Sequence, residues 1–230
     1  MNLSGKKIVI TGAFGALGST ATSVVRAAGA SVACIDHAPH DKAPAGCAGC
    51  VLLGGVDLGS TAAAATALQS ASSELGGLDG LVNIAGGFRW ETVADGNIAT
   101  WDAMFNVNLR TAVNAARAAL PLLSSSASRI VNISAAGAIK AAAGMGAYAA
   151  SKAGVAKLTE SLADELKDKG VTVNAILPSI IDTPANRAEM PAADFSRWVK
   201  PEQIADLIVF LLSDRASAIT GALIPITGRV

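Results

Sequence analysis

Residues 6–36 read KKIVITGAFGALGSTATSVVRAAGASVACID, and the order of signals in this stretch decides the fold. Residues 6–11 are a short apolar run bounded by glycine. The turn GAFGALG follows, and residues 19–28 form an Ala/Val-rich helical run that ends at Gly29. Strand, glycine turn and helix in that order are the context a dinucleotide fingerprint requires. Gly12, Gly15 and Gly18 let the backbone turn tightly and approach a pyrophosphate, with Phe14, Ala16 and Leu17 completing the turn. The pyrophosphate then meets the partial positive charge of a helix N-terminus. The next strand, SVACID, ends in Asp36. A carboxylate there accepts hydrogen bonds from the ribose 2′-OH of NAD and repels the 2′-phosphate of NADP. No Arg or Lys lies in the glycine turn or directly after Asp36, so NAD is expected over NADP. Taken singly, glycines also break strands that bind nothing, and an Asp at a strand end can simply be solvated.

The alternation continues outward from this stretch. A strand beginning near residue 50 leads to Asp57 at a helix start, where the carboxylate either belongs to the N-cap region or reaches an adenine edge. Residues 60–75 are an Ala-rich helix, and residues 78–84 a strand opening into Ala85-Gly86-Gly87. Residues 100–122 form a long helical pattern containing Asn106 and Asn108; Asn is a weak helix former, so Asn108 should bend the helix or face solvent. Residues 129–133 and 171–177 read as strands with a helix to about residue 169 between them. Residues 191–200 look irregular, 201–212 helical, and 222–226 a last strand. The expectation is α/β: one Rossmann-type, doubly wound parallel sheet spanning residues 1–230 as a single nucleotide-binding domain, with helices on both faces.

The chain has 230 residues, 51% of them apolar but only 4% aromatic, which suits close packing of small side chains between helix and sheet. Lys plus Arg and Asp plus Glu balance at 18 each, so no basic patch points to nucleic acid. The first apolar run is too short for a signal peptide and no run reaches membrane-spanning length. A soluble, cytoplasmic protein without nucleic-acid or membrane partners is expected. Cys47 and Cys50 form a C-A-G-C unit near Cys34, His37 and His40. A redox or zinc role is conceivable, but with no second C-x-x-C, free thiols in a loop and no metal site are expected.

Chemistry concentrates in SAAGAIKAAAGMGAYAASK, residues 134–152. Tyr148 and Lys152 are spaced to share one face of a helix, one turn apart, and Tyr148 is the sole tyrosine. An ammonium beside a phenol favours the phenolate and draws its pKa from about 10 towards neutral, giving a general acid/base. Ser134, at a strand end, could hydrogen-bond a substrate carbonyl. Alone, this is equally an Ala-rich helix with an incidental Tyr and Lys.

The motifs together resemble the short-chain dehydrogenase/reductase family: TGAFGALG, Asp36, Asp57, NIAG at residues 83–86, NVN at 106–108, Ser134, YAASK at 148–152 and LPSIIDTP at 177–184. The resemblance implies a seven-stranded sheet, hydride transfer between a nicotinamide and a carbonyl or alcohol carbon, and a homo-oligomer, tetramer or dimer. It implies Tyr148 as proton donor and acceptor, and Ser134 as holder of the reacting oxygen. Lys152 would bind the nicotinamide ribose, and Asn108 would hold a water in a proton relay. It extends the cofactor-contacting set to His37, Asp57, Leu58, Asn83, Ala85, Gly86, Ile133, Tyr148, Lys152, Pro178, Ile181 and Thr183. Five features depart from the family pattern, one being that the stretch where many members have a second helix is short and carries His37 and His40. Ala16 replaces the middle glycine, Ser134 and Tyr148 are one residue further apart than expected, Ser179 follows Pro178 where Gly is usual, and the C-terminus is ITGRV.

A narrower resemblance, to dihydropteridine reductases, lies in IAGGF, GMGAYAASKAG and LPSIIDTPANRAEMPAADFSRW. That branch keeps the Tyr and Lys but lacks the serine, and it implies NADH-dependent reduction of a quinonoid dihydropterin. Phe88, Trp90, Met145 and Asn186 are the candidate substrate contacts, the two aromatics as stacking partners for a planar ring. A binding role without turnover, as an NAD-linked regulator, is the alternative from another class, since a Rossmann fold does not guarantee catalysis.

Overall fold

The computed structural model describes residues 1–123 and 127–230. Seven parallel strands, β1 (Lys7–Thr11), β2 (Ser31–Ile35), β3 (Val51–Leu53), β4 (Gly80–Asn83), β5 (Arg129–Ile133), β6 (Thr172–Pro178) and β7 (Leu223–Ile226), form one sheet in the order β3-β2-β1-β4-β5-β6-β7. The helices are α1 (Ala16–Ala27), α2 (Thr61–Leu75), α3 (Ile98–Met104), α4 (Thr111–Ala119), α5 (Gly146–Leu166), α6 (Pro184–Glu189) and α7 (Pro201–Leu212). Period-two alternation puts Ile8 and Ile10 of β1 into one buried layer with α1 and α7. Val9 enters the opposite layer with α2, α4 and α5. Ala64, Ala67 and Ala71 of α2 and Ala115, Ala116 and Ala119 of α4 are buried in that second layer, where small side chains let the helices approach each other and the strands.

The chain runs outward from β1 to β3 and then returns to place β4 against the other side of β1. That reversal opens a crevice beyond the carboxyl ends of β1 and β4, the topological switch point where open α/β sheets bind ligands. Three expectations are adjusted. Helix α1 begins at Ala16 rather than residue 19, because Gly15 is extended (φ −71, ψ 169) and serves as its N-cap. The long helix over residues 100–122 is divided by a π-helical turn at Phe105–Arg110. Cys34, Cys47 and Cys50 are free thiols as expected, but Cys34 lies on β2, and it and Cys47 are buried against the α1 layer, with Cys50 partly exposed.

Candidate active site

A cleft of about 710 Å³ runs along the carboxyl ends of β1 to β6. Its floor is the glycine turn. Gly12 has φ +66, and a Cβ there would stand 2.7 Å from the Ala85 backbone, so the exits of β1 and β4 touch. A Cβ on Gly18 would meet the Gly12 carbonyl at 2.0 Å, so α1 packs hard against its own entry turn. Gly15 is different: its Cβ would meet only the Gly12 carbonyl, at 3.5 Å, and it lines the cleft. The turn is thus built from close backbone contacts but leaves open space above Gly15 and the start of α1, as a pyrophosphate requires. Thr11 ties the second wall in place, its Oγ1 accepting from the Ile84 and Ala85 N–H groups at 3.2 and 3.3 Å.

Asp36 lines the cleft with His37, Asp57 and Leu58. One Asp36 oxygen accepts from Phe14 N–H at 2.8 Å and the other from Ala38 N–H at 2.9 Å. The glycine turn and the end of β2 are therefore locked together through the carboxylate. Asp57 closes an Asx turn onto Gly59 N–H at 2.8 Å, while the N-cap of α2 is Ser60. Sequence reasoning missed Asn114, which holds this turn from α4. Its Nδ2 donates to the Leu58 and Gly59 carbonyls at 2.9 and 3.0 Å. A buried Asn among the alanines of α4 is the signal that could have found it. Ala103, Val107 and Thr111 also line the cleft unforeseen.

Tyr148 and Lys152 lie one turn apart near the start of α5, and both open onto the cleft with Ser134. The Lys152 ammonium is 5% exposed and donates to the Ile133 carbonyl at 2.9 Å. Burial drives its pKa down to about 8 and the Tyr148 phenol up to about 12. The expected shift of Tyr148 towards neutral is therefore corrected: desolvation dominates the phenol while the ammonium is turned to Ile133. Phe88 covers Tyr148 edge-on, with ring centroids 4.9 Å apart at 81°. Among the described residues the Tyr148 hydroxyl has no hydrogen-bond partner, so its O–H is free for a ligand oxygen.

Ser134 lines the cleft at the end of β5 as expected, but its hydroxyl is turned to α5. Its hydroxyl is 2% exposed and donates to the main-chain carbonyl of Lys152 at 2.8 Å. A hydroxyl has one proton to donate, so in this arrangement Ser134 clamps β5 to α5 and has no O–H left for a substrate oxygen. The extra residue between Ser134 and Tyr148 fits this: the position at the expected separation is Ala135, which carries no hydroxyl. Asn108 is buried and does not face solvent. Its Oδ1 accepts from Gly87 N–H at 3.0 Å, and its Nδ2 donates to the Gly87 carbonyl and to Ser151 Oγ, both at 3.0 Å. The wide π turn is what carries it there, and its side chain is consumed in fixing the Gly86-Gly87 bend.

Several other predicted residues lie off the cleft. Asn83 is buried, donating to Asn132 Oδ1 at 2.9 Å to join β4 and β5. Phe14 packs its ring against the core and offers only its backbone. Thr183 caps α6, accepting from Asn186 N–H at 3.2 Å, and Asn186 Nδ2 turns to the Ile181 carbonyl at 2.8 Å. Trp90 is 61% exposed and lies over Gly144, its Nε1 donating to the Ala143 carbonyl at 3.1 Å, and Met145 is the N-cap residue of α5. Ile133, Pro178, Ile181, Ala85, Gly86, Ala16, Leu17 and Phe88 do line the cleft.

The family described as enoyl-(acyl carrier protein) reductase matches residues 12–228. The chain is 32% identical over 246 residues to 2-(S)-hydroxypropyl-CoM dehydrogenase 3 of Xanthobacter autotrophicus, covering 98% of this chain and 96% of that protein. It is 32% identical over 242 residues to a 3-oxoacyl-[acyl-carrier-protein] reductase of Thermotoga maritima, covering 99% and 98%. A short-chain dehydrogenase from Burkholderia cenocepacia, solved in complex with NADP, superposes with a TM-score of 0.88 at 30% identity over 99% of this chain and 98% of that one.

Proposed function

The chain belongs to the short-chain dehydrogenase/reductase family of nicotinamide-dependent oxidoreductases, and on that premise we propose that it transfers a hydride between NAD(H) and a small carbonyl or alcohol compound. One observation carries the reading: Tyr148, with a free phenolic O–H, and buried Lys152 open onto the same cleft that the glycine turn and Asp36 line. In this reading residues 12–18 receive the pyrophosphate, Asp36 the adenosine ribose, and Lys152 the nicotinamide ribose. The nicotinamide, when bound, supplies or accepts the hydride. Tyr148 gives its proton to the substrate oxygen in reduction and takes it back in oxidation, acting as general acid and base. Phe88 lies edge-on against the Tyr148 ring beside that oxygen. Asn108 fixes the Gly86-Gly87 wall, so a relay water would rest on its main chain, not its amide. Cytoplasmic location and assembly into a homo-oligomer complete the proposal.

The preference for NAD rests on Asp36, whose carboxylate at the end of β2 would repel a 2′-phosphate. NADH is expected to bind more tightly than NADPH, with the gap narrowing in Asp36→Ala; equal dissociation constants for the two in the wild type by fluorescence titration would sink this part. A second reading, reduction of a quinonoid dihydropterin with NADH, is favoured by the committed hydroxyl of Ser134. The branch that the narrower resemblance indicates works without that serine. NADH oxidation with quinonoid dihydropterin beside a panel of ketones, aldehydes and quinones separates the two readings. Silence on every substrate, with NADH bound, would favour the regulatory alternative.

A further inference from the structure

The chemistry proposed above leaves a thiol cluster unused. Cys47 and Cys50 are the ends of a type II turn: Cys50 N–H donates to the Cys47 carbonyl at 3.1 Å, Ala48 has φ −58 and ψ 132, and Gly49 has φ +73. The ends of such a turn are at most about 7 Å apart, which reaches the Cα span of about 4.4–6.8 Å that a disulfide bridges. Arg26, in the last turn of α1, covers it. Its guanidinium donates to the Ala48 carbonyl, and a Cβ on Gly49 would stand 2.9 Å from its Nη2. Cys50 is the partly exposed thiol of the cluster, and a cation beside a partly exposed thiol favours the reactive thiolate.

We propose that Cys50 and Cys47 are an oxidation-sensitive dithiol that reacts with hydrogen peroxide and closes to a disulfide behind the dinucleotide turn. The Cys50 thiolate attacks one peroxide oxygen; the S–O bond forms, the O–O bond breaks, and the departing oxygen leaves as water after taking a proton. Cys47 sulfur then attacks the sulfenic sulfur, the S–S bond forms, and the hydroxyl leaves as a second water. Two thiols lose two electrons and the peroxide gains them. The neighbouring Cys34 thiol and the Arg26 charge lower the Cys50 pKa, whereas Cys34 is pushed far up by Cys50 and by burial, and Cys47 is pushed up by burial. Cys47, held at the other end of the same turn within the span a disulfide bridges, is the resolving partner.

The dithiol is joined to the nucleotide site. Cys47 S–H donates to the Ala13 carbonyl at 3.4 Å, inside the glycine turn. A Cβ on Gly46 would stand 2.4 Å from Ser19 Oγ, so the segment cannot shift without moving α1. Closing the bridge removes the S–H donor and pulls Cys47 from Ala13, which weakens nucleotide binding. This last consequence rests on the proposed function; bond formation does not.

The test treats the full reduced chain with hydrogen peroxide, blocks remaining thiols with iodoacetamide and maps the peptides by mass spectrometry. The expected product is a Cys47–Cys50 bridge reversed by dithiothreitol. Arg26→Gln should slow alkylation of Cys50 in the untreated protein by about threefold to tenfold. A bridge to Cys34, a sulfinate without a bridge, or equal alkylation rates in wild type and Arg26→Gln would each overturn the proposal. Cys47→Ser keeps an O–H for Ala13 and should accumulate a dimedone-reactive sulfenic acid; absence of that adduct also counts against it. NADH affinity should fall about threefold to tenfold in the bridged wild type and hold in peroxide-treated Cys47→Ser. Unchanged affinity with the bridge formed refutes the coupling, whereas failure of the reduced chain to bind NADH refutes the nucleotide reading and leaves the dithiol standing.

Discussion

Tyr148 and Ser134 make opposite demands on mutagenesis. Tyr148→Phe removes the one free O–H facing the cleft and should lower kcat by about 10²–10⁴, with NADH affinity retained in a binding titration. Ser134→Ala removes a clamp between β5 and α5, so its main effect should be on stability, about 1 kcal/mol read as a lower urea midpoint, with less than about tenfold loss of kcat. A Ser134→Ala loss as large as that of Tyr148→Phe would show that the hydroxyl turns to the substrate during the reaction. Lys152 sets a pH dependence. Its folded pKa of about 8 lies below the ordinary value of 10.5, so between these values the unfolded chain binds the extra proton and stability rises with pH. The buried charge costs on the order of 3 kcal/mol below pH 8. Tyr148 acts in the opposite sense, its raised pKa lowering stability between pH 10 and about 12. Denaturation of the protein without nucleotide should show a rise in stability from pH 8 towards 10 that Lys152→Met abolishes. Tyr148 and Lys152 were legible in the sequence because helical spacing alone puts them on one face. The turn of Ser134 towards α5 was not, because a hydroxyl at a strand end reads the same whichever neighbour it finds.

The connecting elements do more of the positioning than their sequence suggests. The π turn Phe105–Arg110 was half visible, as a pair of asparagines in a poor place for an α-helix. Periodicity cannot tell a bent helix from a widened one, and only the structure shows Asn108 swung inward to hold Gly87 by both its N–H and its carbonyl. The alternation of strands and helices along the chain, the glycine turn and the placement of Asp36 at a strand end were readable because each depends on local pattern. The buried role of Asn83 depends on which neighbour the sheet brings, and local pattern carries no trace of that. Gly86 is where the two kinds of information meet. A Cβ there would stand 2.5 Å from Asn108 Oδ1 and 3.2 Å from Lys152 Nζ. Gly86→Ala should therefore displace the amide from Gly87 and crowd the ammonium, costing about 1–3 kcal/mol of stability and at least about tenfold in kcat/KM. Wild-type kinetics in that variant would mean that the bend is free to move.

On the scale of the molecule, the reversal of strand order places the cleft at the carboxyl ends of six strands, and the remaining question is what covers the apolar surface beside it. Ile98 and Trp101 of α3 and Phe105 of the π turn are exposed at 75%, 38% and 45%, and Val93 just before them at 76%. Apolar side chains gathered on one segment mark an association surface more often than a solvated one. Trp101 and Val93 also pack over Gly146, at the head of the helix that carries Tyr148: a Cβ on Gly146 would stand 3.3 Å from the Trp101 ring and 3.7 Å from Val93. An interface here would thus cover the wall that packs against the head of α5, which carries Tyr148. Light scattering at micromolar concentration is expected to give a dimer or tetramer, and Ile98→Glu with Phe105→Glu to shift it towards the monomer. Neither substitution touches Tyr148 or the glycine turn, so NADH binding should persist while turnover falls with the loss of assembly. A wild type that runs as a monomer would remove this surface from the account, and a variant that loses NADH binding along with assembly would show that the fold, not the interface, had been broken.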